Sequence, residues 1–230
     1  MANPEITNND STQIPVFNPK YKDATLVFDG ADTWAKGTVL GLRKVAAGAV
    51  TPDAGNTGDG TVTALALAPG GPAKVGSYNL ECTFAVTNGG VFKLEDPDGN
   101  IVADNLTLRV GAGLATTFSV GGISFIVTDG ATDFAAGDKF ALAISAVNKW
   151  KFYDSSSVDG SEIPSGVLPR EEVATGAGDS YRRILIGGEI SESQLVFDQG
   201  ETINDTIREQ LRDYGIITRP QTALDALDNQ

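Results

Sequence analysis

Any acid–base chemistry in this sequence has to run on carboxylates. Its 230 residues include 30 Asp and Glu against 17 Lys and Arg, with one Cys and no His. Without histidine, the commonest general base and every Ser-His or Cys-His pairing are missing. The lone Cys82 excludes an internal disulfide and any multi-thiolate metal site. The acid pairs that suggest a glycosidase are Glu171-Glu172 and Glu189 with Glu192. That chemistry needs two carboxylates facing across one bond, and nothing in either spacing implies such a meeting. Asp96-Pro97-Asp98-Gly99-Asn100 is similar in composition to a calcium loop, but it lacks the remaining ligands and a closing Glu. It reads better as a hairpin turn. Asp129, Asp133 and Asp138 form a second acidic group, for which weak calcium binding is the ligand to consider. Gly111-Ala112-Gly113 is too short for a dinucleotide fingerprint, and no phosphate-loop motif occurs. The expectation is a protein that is not an enzyme, with no catalytic residue, no cofactor and no metal site.

The net charge of −13 repels phosphate backbones and anionic lipid. Arg182-Arg183 reads as an isolated basic pair. The first ten residues, MANPEITNND, contain no apolar leader core. No apolar run approaches the roughly 20 residues of a membrane span. Neither nucleic acid nor membrane is an expected partner. Cys82 lies in the run YNLECTF, in phase with Tyr78, Leu80 and Phe84, and is expected to be a small buried residue.

The elements that must carry these side chains are mostly strands. Glycine is abundant, at 27 residues, and much of it falls in Asn-Gly, Asp-Gly and Gly-Gly pairs that mark β-turns. Short strands are expected at 25–28 and 37–43. A loop, AAGAVTPDAGNTGDG, follows. Further strands are expected at 61–67, 77–87, 91–95, 106–110, 116–120, 123–128 and 139–146. About seven short strands in about 100 residues, separated by regular turns, is the pattern of a β-sandwich. Ile123, Phe125 and Val127 alternate onto one face. After Trp150 come an apolar strand, Ile184-Leu185-Ile186, and a single helix. For that helix Thr202 is the expected N-cap, with Asp205 completing a near capping box. Ile203, Ile207 and Leu211 lie on one face, and Gly215 closes the C-terminus.

The organisation expected is nested. Residues 1–20 form a flexible arm, rich in Asn, Thr, Ser and Pro, whose one apolar cluster is Ile14-Pro15-Val16-Phe17. Residues 21–45 and 149–217 make one discontinuous domain. An inserted Ig-like β-sandwich spans 46–148, and 218–230 is a tail. The fold class is mainly β, with one C-terminal helix.

Two blocks carry a family likeness. One is Lys36-Gly37-Thr38-Val39-Leu40-Gly41. The other runs from Tyr153-Asp154 through Asp159-Gly160-Ser161, Pro164-Ser165-Gly166-Val167-Leu168 and Gly188-Glu189-Ile190, with Leu195, to Leu211-Arg212 and Gly215-Ile216. Together they resemble the head decoration proteins of lambda-like bacteriophages, the D-protein family, over roughly 95 residues interrupted by the insert. The resemblance implies a small β-tulip-like α+β decoration domain. It also implies a cement role: a homotrimer on the outer capsid surface of the virion, at local threefold positions of the expanded head, assembled in the host cytoplasm. The major capsid protein would be the partner, and the arm would add a strand to its sheet. On that likeness the capsid-binding residues are Gln13, Ile14, Pro15, Val16 and Phe17. The competing expectation is a phage tail or baseplate structural protein, an adhesin whose sandwich binds glycan.

Overall fold

The structure is a computed structural model that describes Ile14, residues 16–109, Gly111, residues 113–197 and residues 200–220. The chain is mainly β, and among the described residues it has a single α-helix, near the C-terminus. In chain order the strands are β1 Val16–Phe28, β2 Asp32–Trp34, β3 Val39–Pro52, β4 Thr61–Leu67, β5 Gly76–Val86, β6 Gly89–Glu95 and β7 Ile101–Leu108. They continue with β8 Ala115–Val120, β9 Ile123–Thr128, β10 Lys139–Phe152, β11 Pro164–Val167, β12 Glu172–Ala174, β13 Gly178–Ser191 and β14 Ile216–Arg219. The helix, α1, is Asp205–Asp213. No helix among the described residues is long and apolar enough to cross a membrane. The chain divides into two compact units, residues 1–43 with 149–230 and residues 44–148.

In the discontinuous unit β1 and β13 pair antiparallel along nearly their whole length, with Tyr21 opposite Leu185 and Phe28 opposite Gly178. β13 also carries β14 in parallel and meets β11 at Leu185. The run Ile184-Leu185-Ile186 lies where the sheet is covered on both faces. Ile184 packs with Leu26, Trp34 and Trp150, while Leu185 packs with Val39, Ile207 and Leu211. A strand buried on both faces reads as a continuous apolar run, which is how this one reads in the sequence.

The β1 strand begins at Val16, well before the expected start at 25. Residues 17–23 are all exposed, Phe17 included, so no alternation of burial marks them; their order comes from backbone pairing to β13. At Asn18 the backbone turns to φ 55, and the register shifts between Phe17 and Tyr21. With Pro19 and the lysines at 20 and 22, this bulged edge discourages further strand pairing.

The helix begins two residues later than expected. Asn204, not Thr202, is the N-cap: its side-chain oxygen accepts from the Ile207 amide at 3.0 Å. Ile207 and Leu211 are buried one turn apart, and Ile203 packs on the same core from the segment before the helix. Gly215, at φ 87, donates to Arg212 O and turns the chain into β14.

Residues 44–148 form a β-sandwich. One sheet runs β10-β5-β6-β7, with the later part of β3 beside β10; the other runs β4-β9-β8. Their inner faces share one core, to which Tyr78, Leu80, Phe92, Phe125, Phe134 and Leu142 contribute. The start of the expected loop is strand instead, since β3 continues to Pro52. Alanine and glycine have poor strand propensity, but pairing beside β10 and the contact of Val45, Ala47 and Val50 with the core override it. Phe84 also departs from its expected phase. A register shift between Cys82 and Phe84 leaves Phe84 64% exposed while Cys82 is buried. Burial raises the Cys82 thiol pKa, the opposite of what a reactive cysteine needs.

Candidate functional site

Most of the acids singled out by sequence are held by cations or backbone amides, with Glu171 and Asp129 as exceptions. Glu192 receives two bonds from Arg208, Nε at 2.8 Å and Nη2 at 3.0 Å, and one from Thr218 Oγ1 at 3.2 Å. Arg208 holds its carboxyl below the usual range, against the opposing effect of burial. Glu189 pairs with Arg219. Glu172 is buried and accepts from Arg182 Nε and from Ser180 Oγ, while its neighbour Glu171 faces solvent. Neither suggested glycosidase pair presents two free carboxylates to a common space.

Asp96 is the centre of a turn with an internal cation. Its Oδ1 accepts from the amides of Asp98 and Asn100, and Lys74 Nζ lies 2.6 Å from its Oδ2 and 2.7 Å from Asp98 Oδ2. The ammonium bridges the two carboxylates and neutralises part of their charge. The Lys74 hydrogen bond comes first in holding the Asp96 carboxyl well below the usual carboxylate range. The same bonds raise Lys74.

The second acidic group is used as staples for the loops at one end of the sandwich. Asp138 accepts from the amides of Thr57, Gly58 and Ala135. These bonds outweigh its burial and lower its pKa. Asp133 accepts from the Asn88 amide, and Asp59, which the sequence reading did not include, accepts from the Thr132 amide. Among the described residues no three such side chains converge to hold a metal ion. Asp129 is different. It extends the inward phase of Ile123, Phe125 and Val127, is 3% exposed, and apart from the adjacent Gly130 amide neither carboxylate oxygen has a hydrogen-bond partner among the described residues.

The N-terminal residues are placed as follows. Gln13 and Pro15 lie outside the described residues. Ile14 is 4% exposed in the core of its own unit, and its amide donates to Pro169 O at 3.1 Å. Val16 packs on that same core, and Phe17, opposite Glu189, is 67% exposed.

One concavity in this unit was not anticipated. A cleft of about 450 Å³ is lined by Tyr21 of β1, by Arg170 and Glu171 from the turn after β11, by Glu172 of β12, and by Arg182 and Arg183 of β13. Sequence reading sees Arg182-Arg183 alone; the fold adds Arg170 to the same wall. A smaller hollow of about 290 Å³ is lined by Asp29, Asp32, Trp34, Lys151 and Asp154. There Trp34 Nε1 donates to Asp32 Oδ2 at 2.9 Å, which joins the hollow to the aromatic packing of Phe28, Trp34 and Phe152.

No protein-family model and no curated protein matches this chain. Among solved structures it is similar to FlgL from Xanthomonas campestris, at 20% identity over 48% of this chain and 32% of that one, with a TM-score of 0.33. The flagellar junction protein FlgL from Legionella pneumophila gives 16% identity, 49% and 36% coverage, and 0.33. The flagellar hook junction protein FlgK from Burkholderia pseudomallei gives 20%, 57% and 21%, and 0.32. The chain spans at most 36% of the length of these three structures. At such scores no role passes to this chain.

The phage expectation does not stand. The structural neighbours are flagellar junction proteins, not phage decoration proteins, and no family model supports the likeness. The cement function, the homotrimer, the major capsid protein as partner and the outer capsid surface as location fall with it. So does the tail or baseplate adhesin with a glycan-binding sandwich. The physical reason is that the shared motifs are answers to local packing. A side chain at Gly37 would strike Gln194 O, its Cβ 1.8 Å away, and one at Gly41 would strike Ser161 O at 2.2 Å. Glycine-flanked strands of this kind arise wherever backbones approach closely, in any β-fold.

Proposed function

We propose that this chain is a non-enzymatic structural protein that works through contact with other macromolecules. The observation that carries this reading is the commitment of most of its buried carboxylates, Asp129 excepted, to holding the fold. Asp159 shows the pattern. It accepts from Ser157 Oγ at 2.9 Å and from Ser161 Oγ at 2.6 Å, and it pairs with Arg43 and Lys151. Burial pushes its pKa up, but these partners outweigh it and the carboxyl stays low. Glu172, Glu192 and Asp96 are similarly engaged. A general acid needs a raised pKa and a general base needs access to a substrate proton; carboxylates bonded in this way supply neither.

The test is a hydrolase screen on chromogenic esters, glycosides and phosphates, run beside Glu172→Gln and Glu192→Gln. No turnover above buffer is expected. Turnover that disappears in either variant overturns the reading.

A further inference from the structure

The cleft in the discontinuous unit gathers three arginines beside Glu171 and Glu172. The chain as a whole is strongly acidic, yet Arg170, Arg182 and Arg183 share this one concavity, and Lys20 and Lys22 are exposed on the adjoining stretch of β1. Two of the guanidinium groups are well suited to receive an anion. Arg182 is held in place at the cleft wall, since its Nε donates to the buried Glu172, which also lines the cleft, and its Nη1 to Tyr181 O at 2.8 Å. Arg183 reaches Asp23 across 3.3 Å, with both side chains about two-thirds exposed. An ion pair so open to water is weak and yields to a better acceptor. Arginine matches a carboxylate with two parallel hydrogen bonds, a geometry lysine lacks. Tyr21 lines the same cleft, and Tyr181, 75% exposed, extends the surface along β13. Arginine and tyrosine are the side chains that most often dominate binding at protein interfaces.

We infer that this cleft binds an acidic segment of a partner polypeptide. Its carboxylates pair with Arg182 and Arg183, and its aliphatic stems lie against Tyr21. The inference rests on the structural reading above and names the partner class for it. Charge complementarity selects the occupant. A short acidic segment meets the local arginines, whereas a nucleic acid brings a dense line of phosphates against a chain of net charge −13.

The experiment uses the full chain and a fluorescein-labelled hexaglutamate peptide with neutral termini, titrated by fluorescence anisotropy at low and at high salt. Saturable binding is expected that weakens with salt and falls at least about tenfold in Arg183→Glu. That side chain is exposed, so the variant is expected to keep the wild-type thermal transition. Absence of saturable binding, or equal binding by the variant, overturns the inference. Single-stranded DNA bound as tightly, and with the same sensitivity to Arg183→Glu, would assign the cleft to polyanions in general and not to a polypeptide. Binding that appears only after deletion of residues 1–12 would assign it to the chain's own N-terminal segment. A hydrolase screen that finds turnover sinks the structural reading, whatever the peptide does. A peptide that fails to bind, with no turnover found, sinks only the assignment of the cleft.

Discussion

Replacing Asp129 with Asn should stabilise the sandwich at neutral pH. The carboxylate is 3% exposed and, apart from the adjacent Gly130 amide, neither oxygen has a hydrogen-bond partner among the described residues. Burial is the first cause raising its pKa, the charge of Asp133 follows, and Asp59 adds a smaller contribution; the neighbouring Gly130 amide offsets only part. A polar group left unsatisfied in the interior costs about 1–3 kcal/mol, and a charged one costs more. Asparagine removes the charge but keeps a polar amide, so the gain should be about 1 kcal/mol. For a domain near 100 residues that corresponds to roughly 4–8 °C in Tm. The pH dependence follows from the direction of the shift. The folded pKa lies above the unfolded one, about 3.9, so between the two values the folded state binds more protons. Stability therefore falls as pH rises through that window, and the full penalty is present above the folded value. Below the unfolded value both states are protonated and the penalty is gone. Calorimetry of wild type and Asp129→Asn at neutral pH and near pH 3 makes the test. The variant should be the more stable at neutral pH, and the two should converge in acid. A variant no more stable at neutral pH, or a difference that persists unchanged in acid, refutes the account.

Lys74→Met should raise the Asp96 midpoint toward the ordinary carboxylate range, because the ammonium is the main cause of its depression; an NMR titration that finds it still far below that range contradicts the assignment. Leu211→Ala removes a fully buried side chain from the core beneath the helix and should cost about 2–5 kcal/mol by denaturant unfolding; a loss under about 1 kcal/mol means that site is not packed as described. Asn204→Ala deletes the cap on Ile207 N and should cost about 1 kcal/mol, with Asn204→Ser recovering most of it. If Thr202→Ala is instead the costly change, the cap is misassigned.

Much of the secondary structure is legible residue by residue. β4 and β9 fall at 61–67 and 123–128, as expected, because a half-buried strand needs apolar side chains at alternate positions, and Ile123, Phe125 and Val127 supply them. The helix is legible from Ile207, Leu211 and Gly215 for the analogous reason. These patterns are local records of which face meets the core. Residues 17–23 and 46–52 leave no such record, since their strands are held by pairing to β13 and by lying beside β10, and backbone pairing is blind to side-chain type. Motif likeness failed for a related reason: GTVLG records the close approach of Gln194 and Ser161 to two glycines, a need many folds share.

The sequence by itself determined a mainly β chain with one amphipathic helix, a strong negative charge, and no histidine or thiol pair on which to build a site. The tertiary structure alone decided which charges meet. It set Lys74 between Asp96 and Asp98, gathered Arg170 with Arg182 and Arg183 around one cleft, and left Asp129 inside with no side-chain partner among the described residues. Side-chain periodicity encodes burial over a few residues, whereas an ion pair or a cleft depends on where distant strands bring their side chains together, which no local pattern contains.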